Sequence, residues 1–278
     1  ALSKMSNIKF DKKFFSLISE ISVNAGKKII VEYNKKKQFR YKEDGSPVTI
    51  ADKKADHFIA KSLIEYNPEI PILSEESSPD TNFLDSNIFW AVDPLDGTKE
   101  FLANSPDFTV NIALIKNKYP IFGVVYAPMY DVLWVGYHDR YDNNYSRSYK
   151  LKQASKEIRN ASSKWTRISV DKKPRTIKVM TSKSHGSNKL ASWISKHYKN
   201  KDIEVTEMGS SLKICFIADG GAHLYPRFGR TCIWDTAAGH AIVNSSGGSV
   251  TVMGTNSELQ YTKSIYNSEF LVANKSYY

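Results

Sequence analysis

The chain has 278 residues, with 41% hydrophobic residues, 24% charged residues and a formal net charge of +10. That length allows one large domain or two modest ones. We see no apolar stretch of membrane-spanning length, no secretory signal and only two cysteines, which argues against a membrane protein or a disulfide scaffold and predicts a cytoplasmic location. The lysines are spread along the chain, so the basic charge favours a lysine-rich surface first, a phosphate-bearing metabolite second and a nucleic acid polymer third.

The first half of the chain shows two helical patterns. Residues 8–33 carry apolar side chains at the spacing of an amphipathic helix, and a second such pattern follows Asp52. Asp52 lies at the start of this second helix, where an aspartate usually caps the helix, and its alternative role is to orient a hydroxyl or a water. Between the helices, residues 40–46 predict either a strand pair or a mobile loop that closes on a site. Residues 72–76 predict a short strand that ends in two acids.

The segment 88–101 contains the pattern that most strongly indicates a binding or catalytic site. Its apolar beginning predicts a buried strand, which is followed by the turn Asp-Pro-Leu-Asp-Gly-Thr at residues 93–98 and by a short helix. The carboxylates of Asp93 and Asp96 can point to one place together with a backbone carbonyl, and hard cations such as Mg²⁺ prefer such oxygen ligands. The N–H groups at the helix start would bind an anion beside the cation. Taken alone, the string also fits an ordinary turn in which Asp96 caps the helix.

The later part of the chain predicts a second layer. Residues 108–136 predict three antiparallel strands, the first two joined by a hairpin. Residues 139–174 are polar and basic, and their low apolar content argues against an independent core. We therefore divide the chain into an N-terminal α+β subdomain (1–138), this polar basic insertion and a C-terminal α/β subdomain (175–278). Strands and helices alternate in the last of these, which predicts an α/β layer with a mixed sheet.

Two helix starts in the second half carry polar residues. Residues 209–213 place small polar side chains and a lysine at one start, and Asp235 lies at the other, where a helix cap is again the simplest role. No histidine and cysteine cluster has zinc spacing, and no nucleophile elbow, Walker A loop or dinucleotide-binding glycine motif is present. The motifs that remain are acidic ones.

Four of these features occur in the order found in one family of enzymes. The helix-start acid Asp52, the strand-end acid Glu75, the turn at residues 93–98 and the segment Trp-Asp-Thr-Ala-Ala-Gly at residues 234–239 together resemble the inositol monophosphatase superfamily of Mg²⁺-dependent, lithium-sensitive phosphatases. This resemblance implies an α/β (α+β) fold, a layered αβαβα sandwich of the inositol monophosphatase and sugar phosphatase type.

The resemblance also implies a site with two or three Mg²⁺ ions. The implied metal ligands are Glu75, Asp93, Leu95 through its carbonyl, Asp96 and Asp235. Asp52 and Thr98 become the catalytic pair that orients and deprotonates a metal-activated water, and the neighbouring Glu76 is not assigned a role. The backbone N–H groups of Gly97 and Thr98 would hold the phosphoryl oxygens.

Within this superfamily, the 3'(2'),5'-bisphosphate nucleotidases of CysQ type resemble the chain in local strings at residues 98–101, 108–114, 209–213 and 224–229. The residues that this resemblance implies at the substrate are Glu75, Leu95, Asp96, Gly97, Thr98, His185, Ser210, Lys213, Arg227 and Asp235. The cations of Lys213 and Arg227 would pair with a 5'-phosphate that is not cleaved. The insertion at residues 139–174 is longer than expected for that branch and bears on the rim of the pocket.

The implied reaction is hydrolysis of 3'-phosphoadenosine 5'-phosphate (PAP), or of its sulfated analogue, at the 3'-phosphate; PAP would give AMP and phosphate. Two other interpretations stay open: an inositol mono- or bisphosphate phosphatase, and a basic anion- or RNA-binding protein that reuses the fold. The acids and Thr98 argue against the binding protein, because it needs no pair that activates water. The expected partner is a small nucleotide bisphosphate rather than a nucleic acid polymer, and the expected assembly is a monomer or a homodimer.

Overall fold

The computed structural model describes residues 8–77, 86–140, 145–160, 164–182, 187–262 and 264–275. Within them the chain forms seven α-helices and fourteen strands. The helices are α1 (Lys12–Tyr33), α2 (Ile50–Tyr66), α3 (Thr98–Leu102), α4 (Ala154–Glu157), α5 (Ser187–His197), α6 (Leu212–Ala218) and α7 (Ile233–Ser245). The strands are β1 (Phe39–Tyr41), β2 (Pro47–Thr49), β3 (Ile72–Ser74), β4 (Ile88–Asp96), β5 (Thr109–Lys116), β6 (Tyr119–Ala127), β7 (Val132–Tyr137), β8 (Arg147–Lys152), β9 (Thr166–Arg167), β10 (Ile177–Thr181), β11 (Ile203–Glu207), β12 (Leu224–Arg227), β13 (Ser249–Val252) and β14 (Phe270–Ala273). None of the described helices is both long and apolar enough to cross a membrane.

The first half of the chain builds a seven-stranded sheet in the order β3-β4-β5-β6-β7-β8-β9. Its pairs are antiparallel except for β3 and β4, which are parallel. Successive residues of a strand point to opposite faces, so Val110, Ile112 and Leu114 of β5 pack in the core with α1 and α2, whereas Ala113 and Ile115 pack on the other face. The two predicted helices and the hairpin are confirmed, and residues 42–46 connect the paired strands β1 and β2.

The second half builds a five-stranded sheet in the order β11-β10-β12-β14-β13. Strand β10 is parallel to β11 and β12, and the remaining pairs are antiparallel, which confirms the mixed sheet. Helix α5 packs on one face through Leu190 and Trp193, against Val179 of β10 and Leu224 of β12. Helices α6 and α7 fill the core between the two sheets. The layers therefore follow the predicted αβαβα order, with α1 and α2 outermost on one side and α5 on the other.

Helix α7 approaches the large sheet closely because two strands present a glycine to it. A Cβ atom added to Gly123 of β6 would lie 2.2 Å from the carbonyl oxygen of Ala238, which is too close for any real pair of atoms. A Cβ atom added to Gly136 of β7 would lie 2.9 Å from Cα of Ile242. The helix is therefore fixed on the sheet over most of its length, and its first turn, which contains Asp235, has a fixed position above the strands.

The described part of residues 139–174 does not stand apart from the large sheet. Strands β8 and β9 add to it beyond β7, and Leu151 and Ile158 pack into the core that α1 covers. The two residues of β9 are exposed at the edge of the sheet, which explains the polar composition of this part. The division of the chain at residues 138 and 174 stays a prediction.

Candidate active site

Strand β4 ends in an irregular turn that carries two aspartates. Its pairing with β5 shifts register between Asp93 and Asp96, so the regular alternation of side chains stops there. The amide of Leu95 donates a hydrogen bond of 3.1 Å to the Asp93 carboxylate, which fixes the turn. Gly97 then adopts a φ of +95°, a left-handed conformation that favours glycine, and is the N-cap of α3.

Acids from both halves of the chain meet beside this turn. Carboxylate oxygens of Asp93, Asp96 and Asp235 all lie within 4.8 Å of one another. Asp235 is in the first turn of α7, where its Oδ2 accepts a hydrogen bond of 2.6 Å from the Cys232 amide. Glu75 directly follows β3, and its carboxyl group is hydrogen-bonded to that of Asp93. The structure thus brings together the four predicted carboxylate ligands.

The surroundings of these acids disfavour their charged forms. Burial, followed by the charges of Glu75 and Asp96, raises the pKa of Asp93 well above its ordinary range. Burial and the charge of Asp96 raise the pKa of Asp235 to about 7, and burial also raises the pKa of Glu75. Like charges that are gathered in this way are stabilised by a cation that neutralises them.

The donor set fits a hard divalent cation. The cluster offers carboxylate oxygens, and the Leu95 carbonyl belongs to the same turn. Mg²⁺ prefers such oxygen ligands, whereas zinc and copper prefer imidazole or thiolate groups. In the part of the chain that the structure describes, Asp93, Asp96 and Asp235 form the group of three whose ligand atoms lie close enough together to hold one metal ion. These residues therefore suit Mg²⁺ or Mn²⁺.

A lysine that the sequence did not single out lies against the acids. Lys42, from the connection between β1 and β2, places its ammonium 3.0 Å from Glu75 and 2.6 Å from Glu76. Burial disfavours the charged lysine, but the two carboxylates outweigh it and raise the pKa of Lys42. Burial raises the pKa of Glu76 to about 7. Glu76 therefore borders the site through Lys42. Of the two structures predicted for residues 40–46, the strand pair is the one present, and the connection between its strands carries Lys42 to the acids.

Asp52 and Thr98 form a hydrogen-bonded pair. The Thr98 hydroxyl donates to Asp52 Oδ1 at 2.9 Å, and the Leu95 carbonyl is 3.3 Å from the same hydroxyl. The other oxygen of Asp52 accepts from both the amide and the hydroxyl of Thr49, the N-cap of α2, at 2.7 and 2.5 Å. Burial raises the pKa of Asp52. Asp52 thus has both roles considered from the sequence, because one oxygen caps the helix and the other holds Thr98.

The sequence contained a signal for the Thr49 contact. A threonine three residues before an acid at a helix start is the spacing of a capping box, in which each side chain bonds the backbone N–H of the other residue. This arrangement turns Asp52 Oδ2 toward the helix start, which leaves Oδ1 directed at Thr98.

One cleft joins the acids to the residues predicted to hold a nucleotide. Residues on its walls include Asp96, Gly97, Glu100, Ser182, Ser210, Lys213, Tyr225, Arg227, Arg230 and Asp235. Glu100 and Arg230 are additions that sequence patterns did not indicate. The Arg230 guanidinium lies 4.5 Å from the centre of the Tyr266 ring, which places a second arginine at the cleft beside Arg227. The predicted substrate residue His185 lies outside the described residues.

Lys213 is buried at the base of this cleft. Its ammonium donates to the carbonyls of Met208 and Ser210 at 3.1 and 2.8 Å, which uses two of its three N–H groups. Burial lowers the pKa of Lys213 to about 8. Ser210 has a φ of +53°, an unusual conformation for a serine, and the lysine holds its carbonyl. Arg227 likewise donates from Nε to the Gly229 carbonyl at 3.2 Å. Both cations therefore position backbone loops at the cleft.

Comparisons with known proteins agree with this geometry. The profile of the inositol monophosphatase family matches residues 12–277 of the chain. The chain belongs to the inositol monophosphatase family. Family members with solved structures include the inositol monophosphatase of Thermotoga maritima, which has a TM-score of 0.73 and 21% identity to the chain over 95% of its length and 92% of the relative. At that identity the likeness concerns the fold alone.

More similar relatives carry one shared name. A protein of Buchnera aphidicola named 3'(2'),5'-bisphosphate nucleotidase CysQ is 41% identical over 256 residues, which are 91% of this chain and 89% of the relative. Its namesake from Escherichia coli strain K12 is 38% identical over 84% of this chain and 88% of the relative. The crystal structure of CysQ from Bacteroides thetaiotaomicron is 33% identical, with a TM-score of 0.82, and covers 97% of this chain and 99% of that one. The predicted membership of the family is therefore confirmed.

Proposed function

We propose that this member of the inositol monophosphatase family is a Mg²⁺-dependent 3'(2'),5'-bisphosphate nucleotidase that converts PAP and water to AMP and phosphate. The observation that carries the proposal is one cleft whose walls include Asp96 and Asp235 of the acid cluster together with the basic residues Lys213, Arg227 and Arg230. A substrate with two phosphates would place one at the acids with their cations and the other at the basic residues. Relatives named 3'(2'),5'-bisphosphate nucleotidase support this substrate class.

Glu75, Asp93, Asp96 and Asp235, with the Leu95 carbonyl, would hold two or three Mg²⁺ ions. When bound, the ions supply neutralisation of the phosphoryl charge and activation of water. The contribution of the chain is to gather the carboxylates before the ions arrive. It does so through the β4 turn and the first turn of α7, both of which are fixed by backbone hydrogen bonds to the side chains of Asp93 and Asp235.

Thr98 and Asp52 would orient the attacking water. The Thr98 hydroxyl donates its proton to Asp52 Oδ1, so its lone pairs remain to accept a hydrogen bond from water. The water would transfer a proton to the Thr98 oxygen, and Thr98 would transfer its own hydroxyl proton to Asp52. The raised pKa of Asp52 suits a group that receives a proton. Thr49 holds the other oxygen of Asp52 and keeps this direction fixed.

The start of α3 would hold the phosphoryl oxygens. Gly97 is the N-cap of α3 and Thr98 is its first residue, so their N–H groups have no carbonyl partner within the helix. Donors that are already in place stabilise the charge that develops on the phosphoryl group as the ester bond breaks. The left-handed conformation of Gly97 directs the chain into this turn.

The basic residues of the cleft would select the 5'-phosphate. The one N–H group of Lys213 that carbonyls do not use, together with Arg227 and Arg230, offers charge-assisted hydrogen bonds to a phosphate. An inositol monophosphate has no second phosphate to accept them, so the same cleft favours a bisphosphate.

Phosphate release with PAP, 3'-AMP and inositol 1-phosphate, each with Mg²⁺ and with a chelator, tests the proposal. We expect Mg²⁺-dependent turnover that is fastest with PAP, and a preference for inositol 1-phosphate would contradict the assigned substrate. We also expect Lys213→Ala to raise KM for PAP by about tenfold, the effect of roughly one lost charge-assisted hydrogen bond, with little change for 3'-AMP. Equal effects on both substrates would remove Lys213 from the 5'-phosphate site.

A further inference from the structure

A series of buried, hydrogen-bonded side chains ends at Asp96, one of the candidate metal ligands. Thr109 and Asn111 lie on β5 opposite Asp96 and Asp93, on the strand face that carries Ala113 and Ile115 toward α6 and α7. Ser211 directly precedes α6. The exposed fractions of Thr109, Asn111 and Ser211 are 0%, 1% and 3%, so water does not satisfy these groups and their hydrogen bonds must be made within the protein.

The hydrogen bonds of this series all donate in the direction of Asp96. The Thr109 hydroxyl lies 3.0 Å from Asn111 Oδ1, and Asn111 Nδ2 lies 2.6 Å from the Ser211 hydroxyl oxygen and 3.4 Å from Asp96 Oδ2. If the amide were turned over, its oxygen would face a carboxylate oxygen with no proton between them. The Asn111 amide therefore donates toward Ser211 and Asp96, and it accepts from Thr109.

Ser211 in turn donates a hydrogen bond to Asp96. Its hydroxyl oxygen lies 2.7 Å from Asp96 Oδ2 and 3.1 Å from the backbone carbonyl oxygen of Asp235. A hydroxyl has one proton to donate, and the Asp96 carboxylate is both the nearer and the stronger of these two acceptors. The Ser211 amide also donates to Asp96 Oδ2 at 2.7 Å. One oxygen of Asp96 thus accepts from three N–H or O–H groups, which leaves the other oxygen for a cation.

We infer that Ser211, with Asn111 and Thr109 behind it, is a positioning residue that sets the orientation of Asp96 as a cation ligand. Ser211 also touches the backbone of Asp235, so one side chain ties an acid of the first half to an acid of the second. This inference rests on the proposed metal site and adds residues that do not themselves contact the cation. Partners of this kind typically change metal affinity by 10- to 100-fold when they are removed.

Mn²⁺ binding measures this role without recourse to turnover. Mn²⁺ is titrated into the folded full-length chain at 25 °C, and the unbound ion is followed by electron paramagnetic resonance. We expect Ser211→Ala to lower Mn²⁺ affinity by about 10-fold or more. Asn111→Ala should lower it less, because its contact with Asp96 is longer, and Thr109→Val should lower it least, because Thr109 reaches Asp96 only through Asn111. Thr109→Val keeps the shape of the side chain and serves as the test should Ser211→Ala not fold.

Ser249→Ala is the matched control. Ser249 is also fully buried, and its hydroxyl donates to the Lys275 carbonyl at 2.6 Å on the five-stranded sheet. We expect it to reduce thermal stability and to leave Mn²⁺ affinity unchanged. Wild-type affinity in Ser211→Ala and Thr109→Val, or an equal loss in Ser249→Ala, would overturn the inference. Failure of the wild-type chain to bind Mn²⁺ would instead overturn the proposed metal site, so the two failures are distinguishable.

Discussion

Helix α7 contacts two buried acidic clusters that differ in how their charges are satisfied. Near its first turn, Asp235 joins Asp93 and Asp96, and burial with like charges raises the pKa of Asp93 and of Asp235. Further along the helix, Glu258 lies against His240 and Asn244. Both clusters are taken out of water, yet only Glu258 has partners that outweigh the effect of burial and lower its pKa.

Glu258 has a donor for each oxygen. One oxygen accepts from His240 Nε2 and Asn244 Nδ2 at 3.1 and 2.8 Å, and the other is paired with Arg140. Burial opposes the charge of Glu258, but the hydrogen bonds and charges of His240 and Arg140 outweigh it and lower the pKa of Glu258 to about 2. This acid is therefore ionised and neutralised by the protein itself.

The difference separates a structural acid from a binding one. A buried carboxylate that meets enough donors stabilises the fold and has nothing left to offer a ligand. The Asp93 cluster is held together against the repulsion of its own charges, which a bound cation or proton would relieve. We therefore regard the unsatisfied cluster as the site and the satisfied cluster as part of the scaffold.

Asp93→Asn should have the largest effect, because it removes the central charge of the unsatisfied cluster without changing its shape. We expect Mg²⁺-dependent phosphate release from PAP to fall by about 10³-fold or more, since several kcal/mol of charge stabilisation are lost. In a chelator, the melting temperature should rise, because less repulsion remains. A melting temperature that falls in the chelator would mean that these acids stabilise the fold as Glu258 does.

Thr98→Val tests the hydrogen-bonded pair of Asp52 and Thr98 rather than the acidic cluster around Asp93. The substitution keeps the backbone N–H group and the side-chain shape but removes the hydroxyl that donates to Asp52. We expect turnover of PAP to fall by about 10²- to 10⁴-fold, the range for lost general base assistance, with Mn²⁺ affinity unchanged. Thr255→Val, at an exposed turn, is the control that should keep full activity. Undiminished turnover in Thr98→Val would remove the proton path through Asp52.

Glu258→Gln should act on stability and leave catalysis alone. The lowered pKa, from an ordinary 4.5 to about 2, corresponds to about 3 kcal/mol that the ionised form contributes. We expect urea unfolding to show a loss of that order, while kcat for PAP stays near that of the wild type. Glu65→Gln, in an exposed pair with Lys61, should change neither quantity. A strong loss of kcat in Glu258→Gln would show that the two clusters are not independent.

The pH dependence of stability should show both clusters at once. Without divalent cations, the raised pKa of Asp235 makes the free energy of unfolding fall as pH rises from 3.8 to about 7, because the unfolded chain ionises first. The lowered pKa of Glu258 adds stability above 4.5 that is lost as pH falls toward about 2. Thermal melting in a chelator should therefore be highest at about pH 4 to 5.

Mg²⁺ should change one side of this profile only. Saturating Mg²⁺ binds the ionised acids and should raise the melting temperature at pH 7 by several degrees, with no effect below pH 4. A profile in chelator that keeps rising from pH 5 to pH 7 would contradict the assignment of Asp235 to the unsatisfied cluster.

The sequence predicts local parts of the site well and contacts across the chain poorly. The turn at residues 93–98 is encoded by neighbouring residues, with a glycine where a left-handed φ is needed, and the structure contains it as a buried strand followed by a short helix. Lys42 reaches Glu75 and Glu76 from more than 30 residues away, and no spacing rule indicates such a pair. Only the three-dimensional fold creates that contact.

Polar residues in strands show the same limit. Asn111 and Thr109 are visible in the sequence as polar positions within an apolar strand, yet their direction toward Ser211 depends on packing between the two halves. The sequence predicts Lys213 at a phosphate, which stays a prediction, and the structure shows that its ammonium holds two backbone carbonyls. The resemblance predicts the layer order. The register shift of β4 and the close approach of α7 to the large sheet are visible only in the three-dimensional structure.

The central claim is that Asp93, Asp96 and Asp235 are gathered to bind divalent cations. A crystal of the chain soaked in Mn²⁺, with diffraction measured near the manganese absorption edge, tests it most directly. We predict anomalous density between these three carboxylates, with Glu75 beside it, and none at Glu258. Density confined to other surfaces, or an empty cluster at millimolar Mn²⁺, would contradict the account.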